Sequence, residues 1–307
     1  MTLTELRYLV ALARERHFGR AAEACFVSQP TLSVAIKKLE EELEVKIFER
    51  SSGEVGLTPL GEALVQQAMV VLEQAQALRE MAKMGKDPLA GPLRLGIIYT
   101  IGPYLLPALV KNAIERTPQM PLMLQENFTV KLLDMLRTGE LDCAILAEPF
   151  PDTGLAVAPL YDEPFVVAVP AEHPLAQRPQ ISAAELKQET MLLLGTGHCF
   201  RDQVLEVCPE FARFSSNTEG IRKSFEGSSL ETIKHMVASG MGVTVVPALS
   251  VPPAPQPHLV FVPFEPPVPT RRVVLAWRKS FTRYEAIAAL RNAVYACALP
   301  GVTRLTG

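Results

Sequence analysis

The sequence is poor in cysteine, in long apolar runs and in excess charge of either sign. Five cysteines in 307 residues, with no CxxC pair, are too few and too scattered for a disulfide scaffold and indicate no zinc site. No uncharged run approaches the ~20 apolar residues that span a bilayer, and charges within the first 16 residues interrupt any signal-peptide core. Lys and Arg total 30 against 33 Asp and Glu, which excludes a protein-wide basic field. We therefore expect a cytoplasmic chain without membrane association, whose cysteines are reduced.

The composition is otherwise that of a globular protein with about two domains. Hydrophobic residues make up 48% of the chain and charged residues 21%, which suffices for a buried core. Helical patterns fill the first part of the chain, one uninterrupted helical pattern follows, and the stretch KDPLAGP at 86–92 breaks the chain. The predicted boundaries are a first domain at 1–58, a linker helix and hinge at 59–90, and a second domain at 91–301.

The first part has the pattern of a helix-turn-helix. Ala21 and Ala22 allow close packing of a short helix, Ser28 suits the N-cap of a second helix, and Pro30 falls in its first turn. The run IFERSSGEVGLT at 47–58 follows as two short strands, a wing. These features together predict a small, mainly α-helical winged helix-turn-helix domain.

Polar side chains of the second helix are candidates for contacts with double-stranded DNA. Four of them, Gln29, Thr31, Ser33 and Lys37, lie off its apolar face and suit base edges and phosphates in a major groove, and Arg50 in the wing suits a phosphate. Residues 1–38 hold six Lys or Arg against three Glu, a local positive balance. The alternative is a helical domain with ordinary solvated charges.

The second part predicts one long helix that pairs with another copy of itself. Apolar side chains between residues 59 and 86 recur at steps of four and three. They are Leu60, Leu64, Ala68, Val71, Ala75, Leu78 and Ala82. This stripe is close to the seam of a coiled coil, so we expect a dimerisation helix.

The third part alternates short apolar runs with helical patterns, which predicts an α/β domain with largely parallel sheets. The predicted strands are LRLGII, PLMLQE, LDCAILA, FVVAVP, MLLLG and VTVVP, with two more after the proline-rich stretch 252–259. The predicted helices are PYLLPALVKNAIE, VKLLDMLRTG, ISAAELKQ, SLETIKHMVASG and YEAIAALRNAVYA. No GxGxxG or GxxxxGK motif occurs, and we expect neither a cofactor nor a metal.

Two cysteines of the third part occupy positions with chemical consequences. Cys199 precedes a predicted helix, FRDQVLEV, where the helix dipole and the neighbouring His198 and Arg201 favour its thiolate. A helix over 199–208 separates the Cα atoms of Cys199 and Cys208 by ~13 Å, whereas a disulfide needs about 7 Å or less. Bond and helix exclude each other, as in a redox switch. The alternative is a pair of buried structural cysteines, which is our expectation for Cys25, Cys143 and Cys297.

The run from Leu3 to Leu64, with SQPTLS, IKKLEE, IFER and LTPLGEAL, resembles the LysR-type transcriptional regulators. The resemblance implies a winged helix-turn-helix, a dimerising linker helix and a regulatory domain of the periplasmic-binding-protein type. That domain would have two α/β subdomains, one at about 91–161 plus 269–301 and the other at about 162–268. It further implies promoter DNA and RNA polymerase as partners, activation or repression of transcription, and a homotetramer assembled as a dimer of dimers.

The string GHCFRDQVLEVC, with ENFT, IYTIGPYLLP, RTGELD and SSLETIKHMVASGMGV, is similar to the peroxide-sensing members of that family. The resemblance implies that hydrogen peroxide oxidises Cys199, that Cys208 resolves the product to an intramolecular disulfide, and that a thiol reductant resets the pair. It also places further residues near the peroxide or the thiolate: Thr100, Thr129, His198, Arg201, Asp202 and Arg271. Arg272 is the alternative to Arg271, and both threonines also suit the N-caps of the helices that follow them.

Two other functions stay open at this point. One is a LysR-type regulator that responds to a small metabolite bound between the subdomains. The other is a thiol peroxidase joined to a DNA-binding domain. The response of a Cys199→Ser variant separates the first from a peroxide sensor, and catalytic turnover with a reductant identifies the second.

Overall fold

The structure, a computed structural model, describes residues 1–51, 54–83, 87–151, 154–209, 224–227 and 229–305. The chain divides into two compact units, Met1–Lys86 and Asp87–Gly307. The predicted end of the linker helix at 84–86 lies outside the described residues, as do the side chains of Arg50 and Ala82.

The described residues of the N-terminal unit form four helices and one antiparallel pair of strands. They are α1 (Leu3–Glu15), α2 (Phe18–Ala24), α3 (Gln29–Leu43), β1 (Phe48–Ser51), β2 (Glu54–Leu57) and α4 (Pro59–Lys83). Ser28 is the N-cap of α3, where its hydroxyl accepts the N–H of Thr31 at 3.4 Å, and β1 pairs antiparallel with β2. Leu32 and Leu39 of α3 are fully buried against the other helices. The predicted winged helix-turn-helix is confirmed.

Helix α4 buries only part of its apolar surface within the N-terminal unit. Val65 and Ala68 belong to the core of the unit, whereas Leu60 and Leu78 are 52% and 66% exposed. Leu60 begins the predicted stripe and Leu78 lies near its end, and the described residues of the N-terminal unit leave both leucines uncovered.

The C-terminal unit is a mixed α/β structure. In chain order its elements are β3 (Leu93–Ile98), α5 (Gly102–Arg116), β4 (Leu122–Asn127), α6 (Thr129–Arg137), β5 (Cys143–Ala147), β6 (Ala156–Pro170), β7 (Met191–Leu194), α7 (Cys199–Val207), β8 (Ser224–Gly227), α8 (Leu230–Ala238), β9 (Thr244–Pro247), β10 (Leu259–Pro263), β11 (Thr270–Trp277), α9 (Tyr284–Tyr295) and β12 (Thr303–Arg304). All the predicted strands are present, and so are four of the five predicted helices.

The sheet is not largely parallel, contrary to the prediction. Its order is β10-β6-β11-β5-β3-β4, with β9 and β12 also paired to β6, and β7 pairs with β8 separately. Strand β3 runs parallel to β4 and β5, and β7 runs parallel to β8. The long strand β6 and its neighbour β11 run antiparallel to their partners. The strands that are connected through helices therefore form the parallel pairs. The two long strands, β6 and β11, run in the opposite direction to the strands with which they pair.

Two hydrophobic clusters form the core of the C-terminal unit, and β6 passes from one to the other. The first cluster contains β3, β5 and α9, and Tyr161 of β6 belongs to it. The second contains β7, α8 and β9, with Phe165 of β6. Helix α7 contacts both, because Cys199 packs against the first cluster while Phe200 and Val204 are buried in the second.

Two local predictions need correction. The segment ISAAELKQ forms only a short 3-10 turn, Glu185–Gln188, because Glu185 accepts both the backbone N–H and the hydroxyl of Ser182 and so closes a local turn. Strand β6 begins at Ala156, well before the predicted run FVVAVP. Its Pro159 is tolerated beside a bulge in the pairing with β11 between Val273 and Val274.

Candidate functional site

A small cavity lies where the carboxyl ends of β3 and β4 meet the turn before α7. It is lined by Ile98, Tyr99, Thr100, Asn127, Phe128, Thr129, Gly197, His198 and Cys199. Because β3 and β4 are parallel neighbours, the residues that follow them lie side by side at one edge of the sheet. The cavity has a volume of about 10 Å³, close to the roughly 10–15 Å³ that one water molecule needs. Its size suits a ligand of very few atoms.

Cys199 is the first residue of α7, with His198 at the N-cap position. It is half-buried, its thiol is free, and it lines the cavity. The first turn of a helix directs unpaired N–H groups and the positive end of the helix dipole towards this residue. The position therefore favours a negative charge that develops beside it.

Thr129 contributes a buried hydroxyl that has no hydrogen-bond partner among the described residues. It is the first residue of α6, whose N-cap is Phe128, so the N-cap interpretation of Thr129 is wrong. An unpaired buried hydroxyl is costly unless a ligand or a water molecule pairs with it. The hydroxyl is thus available to a molecule in the cavity.

Thr100 is not an N-cap either, because the N-cap of α5 is Ile101 and no side chain caps that helix. The Thr100 hydroxyl instead accepts a hydrogen bond from Nη1 of Arg271 at 2.8 Å, and its carbonyl accepts one from Nη2 at 3.0 Å. A distant strand, β11, therefore orients this cavity wall.

Arg271 is itself held by a buried carboxylate that the sequence analysis did not identify. Nε and Nη2 of Arg271 lie 2.9 and 2.8 Å from Oε2 of Glu163, and both side chains are inaccessible to solvent. Glu163 Oε1 accepts the N–H of Leu249 at 2.9 Å. Arg272 points outward to the partly exposed Asp162. Of the two arginines, Arg271 is the one that contacts the cavity wall.

Three aromatic rings line the cavity. Tyr99, Phe128 and His198 meet edge to face, with ring centroids 5.3, 5.9 and 4.8 Å apart for the pairs Tyr99–Phe128, Tyr99–His198 and Phe128–His198. His198 is buried. Sequence reasoning missed Tyr99 and Phe128, although both lie in the quoted strings IYTIGPYLLP and ENFT.

Arg201 and Asp202 follow on α7, and neither is among the residues that line the cavity in the described part of the chain. Arg201 is buried and donates a hydrogen bond from Nη1 to the carbonyl of Leu194 at 3.0 Å, which attaches α7 to the end of β7. Asp202 is exposed to solvent.

Cys208 lies at the other end of α7, as its C-cap, and is completely buried in the second cluster. Its thiol is free. The intervening helix confirms the predicted one and separates the Cα atoms of Cys199 and Cys208 by ~13 Å at 1.5 Å per residue. A disulfide is impossible while α7 remains helical.

The other three cysteines lie in environments that disfavour the thiolate form. Burial raises the pKa of Cys143, which is completely enclosed, and the neighbouring Asp142 raises it further. Burial also raises the pKa values of Cys25 and Cys297. Thiols with raised pKa values are poor nucleophiles, which supports structural roles for these three.

In the N-terminal unit, Gln29, Thr31 and Lys37 are exposed on α3 and Ser33 is half-buried. The Thr31 hydroxyl lies 2.8 Å from that of Ser28, and the Lys37 ammonium lies 3.5 Å from Glu41. Arg50 is in β1. These positions give α3 an exposed polar surface beside the wing.

Among the described residues no group of His, Cys, Asp and Glu could hold a metal ion, and no helix is long and apolar enough to cross a membrane.

Comparison with known proteins decides the family. Residues 3–62 match the bacterial regulatory helix-turn-helix of the lysR family, and residues 86–296 match the LysR substrate binding domain. The chain belongs to the LysR family. LysR proteins are transcription regulators rather than enzymes, which removes the thiol peroxidase alternative.

Several relatives within the LysR family are similar along nearly the whole chain. The DNA-binding transcriptional dual regulator OxyR of Escherichia coli K12 is 42% identical over 292 residues, which cover 94% of each chain. A full-length OxyR variant from Pseudomonas aeruginosa is 53% identical, with a TM-score of 0.74 and coverage of 97% of this chain and 99% of that one. An OxyR cysteine mutant from Corynebacterium glutamicum, solved with H2O2 bound, is 35% identical, with a TM-score of 0.63 and coverage of 95% and 91%.

Proposed function

We propose that this LysR-family regulator senses hydrogen peroxide through Cys199 and Cys208 and changes transcription of oxidative-stress genes in response. The observation that carries the proposal is the cavity beside Cys199, which has room for a molecule close to water in size and holds the unpaired Thr129 hydroxyl. Pockets for metabolites usually measure about 300–1,000 Å³. The cavity therefore favours peroxide over a metabolite, and the similarity to OxyR proteins points the same way.

The proposed chemistry has two steps. The Cys199 sulfur attacks one oxygen of H2O2, the O–O bond breaks, and the departing hydroxide takes up a proton to leave as water, so that Cys199 becomes a sulfenic acid. The Cys208 sulfur then attacks the Cys199 sulfur, the S–O bond breaks, and a second water leaves as the disulfide forms. Peroxide gains the two electrons that the two thiols lose, and an external dithiol returns them when it reduces the disulfide.

The side chains of the cavity assist the first step. The Thr129 O–H donates to a peroxide oxygen, while Arg271 orients Thr100 on the facing wall. Donors placed where charge develops lower the barrier to breaking the O–O bond. His198 lines the cavity, and Arg201 keeps the helix that carries Cys199 in place. Asp202 lies near the thiolate only in sequence, and its role stays a proposal from the family resemblance.

We expect Thr129→Val to slow the oxidation of Cys199 by hydrogen peroxide about tenfold, the effect of ~1.4 kcal/mol of lost transition-state stabilisation. Folding should be unaffected, because the substitution removes a buried hydroxyl that has no protein partner. The measurement is the rate of sulfenic acid formation in full-length protein that carries Cys208→Ser. The matched control is Thr138→Val, at the C-cap of the same helix and outside the cavity. An unchanged rate in Thr129→Val would contradict the proposed role.

The N-terminal unit binds promoter DNA in this proposal, with α3 in the major groove. Gln29, Thr31 and Ser33 contact bases, while Lys37 and Arg50 contact phosphates. The bound promoters lie on chromosomal DNA, so the proposal also places the protein in the cytoplasm, where it acts on RNA polymerase.

Lys37→Ala should weaken binding to all DNA sequences and lower the slope of log affinity against log salt by about one unit, since each neutralised phosphate releases a counterion. Lys37→Arg, which keeps the charge, is the control. The test is a titration of an operator and of unrelated DNA at several salt concentrations. A loss confined to the operator with an unchanged slope would show that Lys37 contacts bases.

The proposed assembly is a homotetramer, built as a dimer of dimers. The exposed Leu60 and Leu78 on α4 support pairing of this helix with a second copy, which relates two α3 helices by a two-fold axis. DNA half-sites would then form an imperfect palindrome. A monomeric mass of the full chain in solution would contradict this assembly.

A further inference from the structure

Helix α7 presents two different faces to the two hydrophobic clusters. Phe200, Val204 and Cys208, spaced by four residues, are buried in the second cluster. Cys199 and Gln203 are also four residues apart, so they share another face, and Cys199 packs against the first cluster. The helix thus lies between the clusters with the reactive thiol and one amide side chain directed at the first.

Gln203 forms a short hydrogen bond across this boundary. Its Nε2 donates to the carbonyl oxygen of Glu148 at 2.7 Å, although the two residues are 55 positions apart. Glu148 directly follows β5, and its own N–H donates to the carbonyl of Arg272 at 2.9 Å, so the acceptor is fixed to β11. Gln203 is only 6% exposed. The bond therefore attaches the middle of α7 to the main sheet.

The same amide is only half satisfied. Gln203 Oε1 is buried and has no hydrogen-bond partner among the described residues. Unwinding of α7 breaks the bond from Nε2 to the carbonyl, which opposes unwinding, whereas the unpaired Oε1 has no hydrogen bond to lose. The hydrogen bond from Gln203 to Glu148, called the tether below, consequently stabilises the helical state of α7 by only a small free energy. A small free energy suits a helix that must unwind on oxidation and re-form on reduction.

We propose that Gln203 is a positioning residue that sets the thiol–disulfide equilibrium of Cys199 and Cys208. This inference rests on the proposed function, since it concerns the disulfide of that switch. The disulfide requires α7 to unwind, and the bond from Gln203 to Glu148 exists only while the helix is intact. The tether opposes disulfide formation and returns α7 to the position in which Cys199 lines the cavity.

The experiment compares Gln203→Asn with Glu206→Asp in the full-length protein. Both substitutions remove one methylene from a side chain of α7 and lower helix propensity to a similar extent. Only the first separates an amide from the Glu148 carbonyl, because Glu206 is exposed. Each variant is equilibrated with mixtures of reduced and oxidised dithiothreitol, which exchange two electrons and two protons with the cysteine pair. The fraction of protein disulfide is then measured by mass spectrometry.

We expect Gln203→Asn to shift the equilibrium constant about tenfold towards the protein disulfide, which corresponds to a reduction potential about 30 mV more negative. Glu206→Asp should shift it less than twofold. If Gln203→Asn does not fold, as judged by DNA binding, Gln203→Glu provides the second test, since its carboxylate has the same length but no donor, and the same direction of shift is expected.

Failure of the role of Gln203 and failure of the proposed function give different experimental results. Equal equilibrium constants for Gln203→Asn and Glu206→Asp, in a protein that does form the Cys199–Cys208 disulfide, would overturn the role of Gln203 alone. If peroxide produces no such disulfide in the parent protein, the proposed function itself fails.

Discussion

Replacing Cys199 with serine should abolish the transcriptional response to hydrogen peroxide, the largest effect expected of any substitution in this protein. A hydroxyl in place of the thiol cannot be oxidised by peroxide, so no sulfenic acid forms and α7 stays helical. Cys208→Ser should leave the first step intact, because Cys208 is buried at the far end of the helix and acts only on the product. Mass spectrometry after peroxide treatment should show one added oxygen in Cys208→Ser and none at this site in Cys199→Ser.

The matched control is Cys297→Ser. The Cys297 thiol donates a hydrogen bond to the carbonyl of Ala293 on α9, which a serine hydroxyl can replace. This variant should respond to peroxide like the parent. A full response in Cys199→Ser, measured by transcription from a promoter that the protein controls, would exclude the proposed sensor.

Arg271→Met should destabilise the C-terminal unit by about 3–5 kcal/mol, the usual cost of leaving one partner of a buried ion pair uncompensated. Glu163 is fully enclosed and, apart from Arg271, accepts the N–H of Leu249. Denaturant unfolding followed by the fluorescence of Trp277 measures this directly, because Trp277 is the single tryptophan of the chain and ends β11, the strand of Arg271.

Two variants separate the charge effect from the loss of packing. Arg272→Met removes an arginine from the same strand, but both this arginine and its partner Asp162 are accessible to solvent, so we expect a much smaller loss of stability than for Arg271→Met. Adding Glu163→Gln to Arg271→Met should restore part of the lost stability, because no buried charge remains. A loss below about 1 kcal/mol for Arg271→Met alone would show that Glu163 does not depend on this partner.

The helix-turn-helix was predictable because its signals are local. Ser28 caps the helix that it precedes, and Pro30 lies in the first turn, where a missing N–H costs nothing. Helix α3 begins directly at these signals, and the wing follows α3 in the chain. The same holds for α7, whose helical pattern and flanking cysteines are contiguous in the chain.

The surroundings of the cavity were less predictable because they depend on distant pairings. The hydroxyls of Thr100 and Thr129 suit N-caps by sequence, yet Arg271 from β11 engages the first and the second remains unpaired. Glu163 lies in a polar stretch that resembles a surface loop, and only its position opposite Arg271 in the β6–β11 pairing reveals its burial.

Sequence alternation alone also could not distinguish Arg271 from Arg272. Residues 273–276 of β11 are buried on both faces of the sheet, so the apolar pattern carries no period of two from which to assign the inward side. The antiparallel direction of β6 and β11 also could not be predicted from the pattern of apolar residues. Helical patterns between strands predict crossovers, but they do not reveal which long strand returns antiparallel.

In the proposed mechanism, peroxide exchanges the α7 helix for a Cys199–Cys208 disulfide. Hydrogen exchange of the full-length protein, measured before and after treatment with peroxide and combined with mapping of the disulfide, tests it most directly. We expect one disulfide between these two residues and a loss of amide protection across residues 201–208. Unchanged protection of these amides in a protein whose transcriptional response to peroxide persists would contradict it.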